Sequence, residues 1–474
     1  YFLQQLNRLI CLFLQMAPRL LIIGAGPIGL EMAVAAVQSK RWDVTIVERG
    51  NELCANVVAW EHVKLFSAWK LNVSDRGRKA LASLGADIPE CKEMGEETEA
   101  DYPTGKEFSD QYLRPLGEYL AGSERCEIML ETRVVSIGKS SKLLKGDMGQ
   151  IRRKEASFRT LVTKKSDHGN SEKEDMIISD AVVDASGTYG NGNWLGQGGI
   201  PALGERYFSA NIIRTIPNVV EDAIRYLNKT TAVVGSGYSA ITTINKLKEL
   251  AAANTAATVD VHWCTRRGND VAEGKPLYEK IENDPLPQRE TLSKLANALA
   301  SSNNGCAGSS VGAATDEETK FERPATNFRL LYHPRVQLES ISSNAANSDG
   351  TINLLLRDVN ELDQSATDQV RAIQDVSTVI ANVGFRPDSS IFQELQVHQC
   401  YASEGPMKLA AALMSGSGSV DCLAQESPGK ETMMNPEPSF YIVGMKSYGR
   451  SSKFLLTIGH EQVHHVMELL NEGI

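Results

Sequence analysis

The chain has 474 residues and a formal net charge of −10, which argues against nucleic acid or an anionic membrane as its main partner. That length allows about three domains, or two larger ones. The cysteines at positions 11, 54, 91, 126, 264, 306, 400 and 422 form no CxxC pair and no Cys/His cluster with zinc spacing. No metal is therefore expected, and the thiols read as free in a reducing, cytoplasmic setting.

Residues 1–15 are apolar but shorter than the ~20 residues a membrane-crossing helix needs. They are set aside as an N-terminal extension, with Met16 a natural start, and no integral membrane segment is expected. The chain is organised around Leu20–Glu48. A short apolar strand runs into Gly24-x-Gly26-x-x-Gly29, a helical pattern follows to Gln38, and a second strand, Val44–Val47, ends on Glu48. Gly24 suits a tight strand-to-helix turn, Gly26 a close approach of backbone to a pyrophosphate, and Gly29 close helix–strand packing. Pro27 fits the first helical position. Glu48 lies nineteen residues beyond Gly29, where an acid accepts hydrogen bonds from an adenosine ribose.

Ala55–Asn72 carries Trp60, His62, Phe66 and Trp69 and reads either as a loop over the core or as a wall around an isoalloxazine ring. Ser109 or Asp110 is expected to cap a helix whose stripe is Leu113, Leu116 and Leu120. Residues 126–180 read as strands interrupted by a basic, solvated insertion from Lys139 to Asp175. Asp184-Ala-Ser-Gly187 ends a further strand in a small-residue turn.

Thr231–Leu247 repeats the strand–turn–helix pattern as Gly235-x-Gly237-x-x-Ala240. Its second strand, Val259–Trp263, leads to Arg266 and Arg267 where the first unit has an acid. Arginine there suits the 2′-phosphate of NADP, so NADPH is expected over NADH. A helix is expected over Arg289–Ala300, a loop over Ser301–Thr319, and strands at 335–341, 351–357 and 370–383, the last entering Gly384-Phe-Arg386-Pro-Asp388. Near the end, Ser439–Val443 enters a turn containing Gly444, Lys446 and Arg450, and a helix is expected to begin near Gly459–His460. A helix N-terminus there would stabilise negative charge on a reduced flavin.

Two dinucleotide folds with a strand-turn after each resemble the two-dinucleotide-binding-domain flavoproteins, from Arg19 to the end. GAGPIG with Glu48 resembles their FAD fingerprint and GSGYSA their NADPH fingerprint. DASG and NVGFRPD resemble the turns that close each domain. The resemblance implies an α/β fold in which an NADPH domain (211–378) is inserted into an FAD domain (16–210 and 379–474). It implies that Gly24, Gly26, Pro27, Gly29, Glu48, Gly187, Gly444, Arg450 and Gly459 face FAD, and that Gly235, Gly237, Ala240, Arg266 and Arg267 face NADPH. His62, Lys446 and His460 are the candidates for tuning the flavin.

YPTGKEF…YLRPLGEYL and GSGYSA look most like flavin-containing monooxygenases and lysine/ornithine N-hydroxylases, whose reduced flavin meets O₂ and oxygenates a soft nucleophile. The sequence departs from them where IPALGERYFSANIIRTIPN replaces the FxGxxxHxxxY/F-type signature. The disulfide-reductase branch shares the scaffold but needs a close thiol pair, and its usual Gly-Asp is here Gly444-Met445. The leading expectation is an NADPH-dependent flavin oxidoreductase, monooxygenase-like, acting on a small organic molecule; a homodimer is compatible with it. The alternatives are a reductase of a thiol, quinone or protein acceptor, and a nucleotide-binding regulatory protein with little turnover.

Overall fold

The computed structural model describes residues 17–87, 90–92, 96–140, 150–165, 172–270, 274–281, 286–302, 327–343, 350–360, 366–415 and 428–472. The expectations for residues 1–15 and for the loop beyond Ser302 lie outside the described residues. The chain divides into two compact units, one running to Asn191 and resuming at Arg386, the other spanning Gly192–Phe385. Both are α/β, and each is built on a strand–glycine turn–helix.

In the first unit, β1 (Arg19–Ile23), α1 (Pro27–Ser39) and β2 (Asp43–Val47) form that motif. Helices α2 (Asp75–Ser83) and α3 (Arg114–Ala121) follow, then strands β3 (Cys126–Met129), β4 (Thr132–Lys139), β5 (Phe158–Lys165), β6 (Glu172–Ser179) and β7 (Ala181–Asp184). A parallel sheet is ordered with the C-terminal strand Phe440–Ile442 first, then β7, β1, β2 and β3. Strand β1 is a continuous apolar run because both of its faces are covered, as parallel sheets require. Leu20 and Ile22 enter one core cluster, Leu21 and Ile23 another. Strands β4, β5 and β6 form a separate antiparallel sheet, so much of the expected insertion from Lys139 to Asp175 is regular structure. Phe158, Thr160 and Val162 are buried there, with Arg159 exposed and Leu161 half-buried between them, a period-2 pattern.

One helix start in this part of the unit differs from expectation. The helical stretch leading to Leu113, Leu116 and Leu120 begins at Gly105, capped by Thr104, whose side chain accepts from Glu107 N while the Glu107 carboxylate accepts from Thr104 N. Ser109 and Asp110 instead lie inside a π-helical turn, Ser109–Leu113. A reciprocal capping box outcompetes a lone Ser or Asp because it satisfies donors in both directions. The three leucines are buried as expected.

The second unit runs through β8 (Ile212–Ile213), β9 (Lys229–Val234), α4 (Tyr238–Ala253), β10 (Val259–Cys264), α5 (Pro287–Ser302), β11 (Phe328–His333), β12 (Val336–Ser343), β13 (Ile352–Val359) and β14 (Ala366–Ala381). Its sheet is ordered β11-β10-β9-β14-β13-β12, with β8 also pairing β14. Strands β9, β10 and β11 are parallel, and β14 returns parallel to β9. Val259, Val261 and Trp263 face the cluster under α4 and α5, whereas Cys264 faces the antiparallel strands. In the first unit the chain closes with β15 (Phe440–Ile442) and α6 (Leu456–Glu472), the latter packed on α1.

Candidate dinucleotide sites

The first glycine turn is tight inside and open outside. Gly24 has φ +96°, and a Cβ there would sit 2.8 Å from Ala185 O and 2.9 Å from Ser186 Cα. A Cβ at Gly29 would overlap Gly24 O, whereas one at Gly26 meets nothing within 4 Å. Gly26 caps α1 with no side-chain bond, and Pro27 follows at the first helical position. The first N–H groups of α1 therefore have no side-chain cap, at the positive end of the helix dipole. Such an arrangement fits a pyrophosphate.

Glu48 follows β2, its Oε2 accepting from Ala25 N at 2.8 Å and its Oε1 from Gly50 N at 2.7 Å. These bonds fix the carboxylate at the rim of the turn. A Cβ at Gly190 would stand 3.0 Å from the Arg49 guanidinium, which puts a cation beside the turn after β7. The sequence reading missed Arg49, although it directly follows Glu48. Gly187, with φ +67° and open space at its Cβ position, lies in the same turn.

Lys446 is buried, its Nζ donating to Asp184 Oδ2 at 2.6 Å and to Ser186 Oγ at 3.0 Å. Asp184 is fully buried as well, so the pair is a compensated buried charge. Lys446 thus holds the DASG turn in place. Arg450 donates to Glu404 Oε1 at 2.8 Å, a carboxylate shared with Arg386. Gly444 has φ +71°, and its N–H donates to Gln462 Oε1 at 2.8 Å. Gln462 also donates to Ser447 Oγ at 3.0 Å. Nothing in its helical context distinguishes Gln462 from a surface glutamine, so sequence periodicity could not have found it.

Helix α6 begins at Leu456, about a turn earlier than expected, so Gly459 and His460 lie inside the helix rather than at its start. A Cβ at Gly459 would overlap Ile28 of α1, so this glycine serves close helix packing. His460 Nε2 lies 3.7 Å from Glu31 Oε1, and burial holds the imidazole pKa below its ordinary value. Glu31 is itself buried in the middle of α1, accepting from Ser74 Oγ at 2.7 Å and from the Tyr112 hydroxyl. A charged residue inside an apolar helix was the available signal, and the sequence reading passed over it. His62 is half-buried in the loop after Ala55–Val58. Cys54, beside the first turn, is buried with Sγ donating to Ala25 O at 3.3 Å, and burial raises its pKa strongly.

The second turn repeats the design. Gly235 has φ +136°, and a Cβ there would overlap Asn382 O at the end of β14, whereas one at Gly237 meets nothing within 4 Å. The strand end beneath Gly235 thus plays the part that Ala185–Ser186 plays beneath Gly24. Ala240 is buried against the core. Trp263 Nε1 donates to Gly235 O and the Tyr278 hydroxyl to Gly237 O, both at 2.9 Å. Arg266 and Arg267 are exposed at the end of β10, and Thr265 Oγ1 donates to Arg267 O at 2.6 Å.

This is the fold of the two-dinucleotide-binding-domain oxidoreductases. Residues 19–61 match the pyridine nucleotide-disulphide oxidoreductase family model. The chain is similar to three solved structures over nearly its whole length. One is the bacillithiol disulfide reductase Bdr of Staphylococcus aureus (14% identity, 97% of this chain and 98% of that one, TM-score 0.54). Another is the thioredoxin reductase of Lactococcus lactis (14%, 96% and 99%, 0.50). A third is the FAD-bound cadaverine monooxygenase DfoA of Erwinia amylovora (11%, 97% and 95%, 0.56). No curated protein has a significantly similar sequence. Among the described residues, no helix is long and apolar enough to cross a membrane, and no group of three or more His, Cys, Asp or Glu is placed to hold a metal.

Proposed function

We propose that the chain is an FAD-dependent oxidoreductase that takes hydride from NADPH, with FAD on the first unit and NADPH on the second. The observation that carries this reading is the pair of glycine turns, each pressed against backbone on its inner side and open where a pyrophosphate would lie. The N–H groups of each turn bind the phosphates, and Glu48 accepts from the FAD ribose. Arg266 and Arg267 bind the 2′-phosphate of NADPH. Flavin supplies the electron chemistry when bound. Around it the chain orients: Lys446 and Asp184 hold the DASG turn, and Gln462 ties the Gly444 turn to α6.

Between outcomes, we favour a monooxygenase-like reaction on a small organic molecule. The thiol beside the first turn, Cys54, is buried, and burial raises its pKa strongly, which makes it a poor nucleophile. The family match over 19–61 favours the second reading, an NADPH-dependent reductase of an external acceptor. Arg266→Glu combined with Arg267→Ser should weaken NADPH by on the order of a hundredfold while leaving NADH nearly unchanged. Steady-state KM values for both nucleotides check this, and an unmoved preference would refute the phosphate assignment.

A further inference from the structure

The loop that carries Arg266 and Arg267 is held at both ends by side chains from outside the glycine turn. At its start, Thr265 Oγ1 donates to Arg267 O, and the Tyr332 hydroxyl lies 3.1 Å from Thr265 Oγ1 and 3.4 Å from Arg267 O. Val336 N donates to Thr265 O at 3.0 Å, which ties the chain just after Arg335 to the same point. At the far end, Arg335 NH2 lies 2.7 Å from both oxygens of Asp270. This pair presses on the backbone one residue past Arg267. A Cβ at Gly268 would stand 2.8 Å from Asp270 Oδ2 and 2.9 Å from the Arg335 guanidinium. Arg335 adopts φ +54°, a left-handed conformation that a non-glycine residue keeps only where its surroundings fix it. Val359 N donating to Arg335 O at 2.9 Å is part of that fixing.

We propose that the Arg335–Asp270 pair is a positioning device that sets nucleotide specificity. It holds the 265–270 loop in the shape that presents Arg266 and Arg267 together to a 2′-phosphate. Two exposed arginines on a slack loop would lose rotamer and backbone freedom on binding, and a pre-formed loop removes much of that cost. The proposal rests on the assignment of Arg266 and Arg267 to the phosphate. It makes a prediction that charge alone reverses. Asp270 lies three residues past Arg267, so if its charge acted directly on the phosphate, by Coulomb's law its neutralisation should tighten a phosphorylated ligand. If Asp270 instead acts through Arg335 on loop shape, its neutralisation weakens that ligand.

The test is calorimetric titration of the full chain with 2′,5′-ADP and with 5′-AMP, comparing wild type, Asp270→Asn and Arg335→Gln. We expect the wild type to prefer 2′,5′-ADP. Each variant should lose roughly tenfold in affinity for 2′,5′-ADP, with 5′-AMP changed by less than about twofold. Unchanged or tighter 2′,5′-ADP binding by Asp270→Asn would overturn the clamp, as would equal losses for both ligands, the mark of a merely structural role. A wild type with no preference would instead overturn the phosphate assignment beneath it.

Discussion

Gly26 and Gly29 stand in one turn, yet a methyl group would meet different surroundings at each. At Gly29 it would collide with the carbonyl of Gly24, a backbone atom that cannot swing aside; at Gly26 it would enter open space. Gly29→Ala is therefore expected to cost the first unit about 1–3 kcal/mol through overpacking. Gly26→Ala should stay within about 1 kcal/mol of wild type in stability but lose flavin, because the added carbon fills the side from which a pyrophosphate approaches. Urea denaturation and the flavin content of the purified variants separate the two effects. Equal flavin retention by Gly26→Ala and wild type would contradict the placement of the cofactor. The residue scale was legible where a glycine has a steric reason. It was not legible where polar side chains find one another across the chain. Lys446 and Asp184 are separated by 262 positions, and no local spacing pairs them.

At the scale of elements, β10 and β11 carry a pair of histidines with a consequence for stability. His262 Nδ1 and His333 Nε2 are 2.9 Å apart, with their rings stacked, so one ring donates and the other accepts. Burial and then the His262 ring lower the pKa of His333 to about 4, with Arg371 lowering it further and Asp358 opposing. His262 is lowered too, chiefly by burial. In the unfolded chain a histidine titrates near ~6.5. Between these values the unfolded state binds more protons, so this contribution to stability is present above ~6.5 and is lost as pH falls toward 4. The second unit should therefore lose stability from about pH 7 to about pH 5. His333→Asn should lose less over the same interval, as urea midpoints would show. A variant with the wild-type slope would contradict the assignment. Elements were legible where apolar periodicity is strong, as in β1, α1 and β10. Their ends were less so: Thr104 and Leu456 start helices earlier than Ser109 and Gly459 because capping and packing, not the apolar stripe, set those boundaries.

For the whole molecule, two strand–glycine–helix units, each on neighbouring parallel strands, were readable because such turns need small residues at fixed offsets, and those offsets stand in the sequence. The supports beneath the turns were not readable. Ala185–Ser186 under Gly24 and Asn382 under Gly235 come from strands far along the chain, brought there by sheet order. The same limit applies to Arg335 and to Glu31, whose partners lie on other elements. The central proposal is that the chain takes hydride from NADPH onto FAD. Its most direct test is to purify the protein, measure bound flavin, and add NADPH or NADH without oxygen while following the flavin absorbance. The expected result is stoichiometric FAD whose yellow absorbance is bleached by NADPH and much more slowly by NADH. A protein that purifies without flavin and takes none up, or one whose bound flavin neither nucleotide reduces, would contradict it.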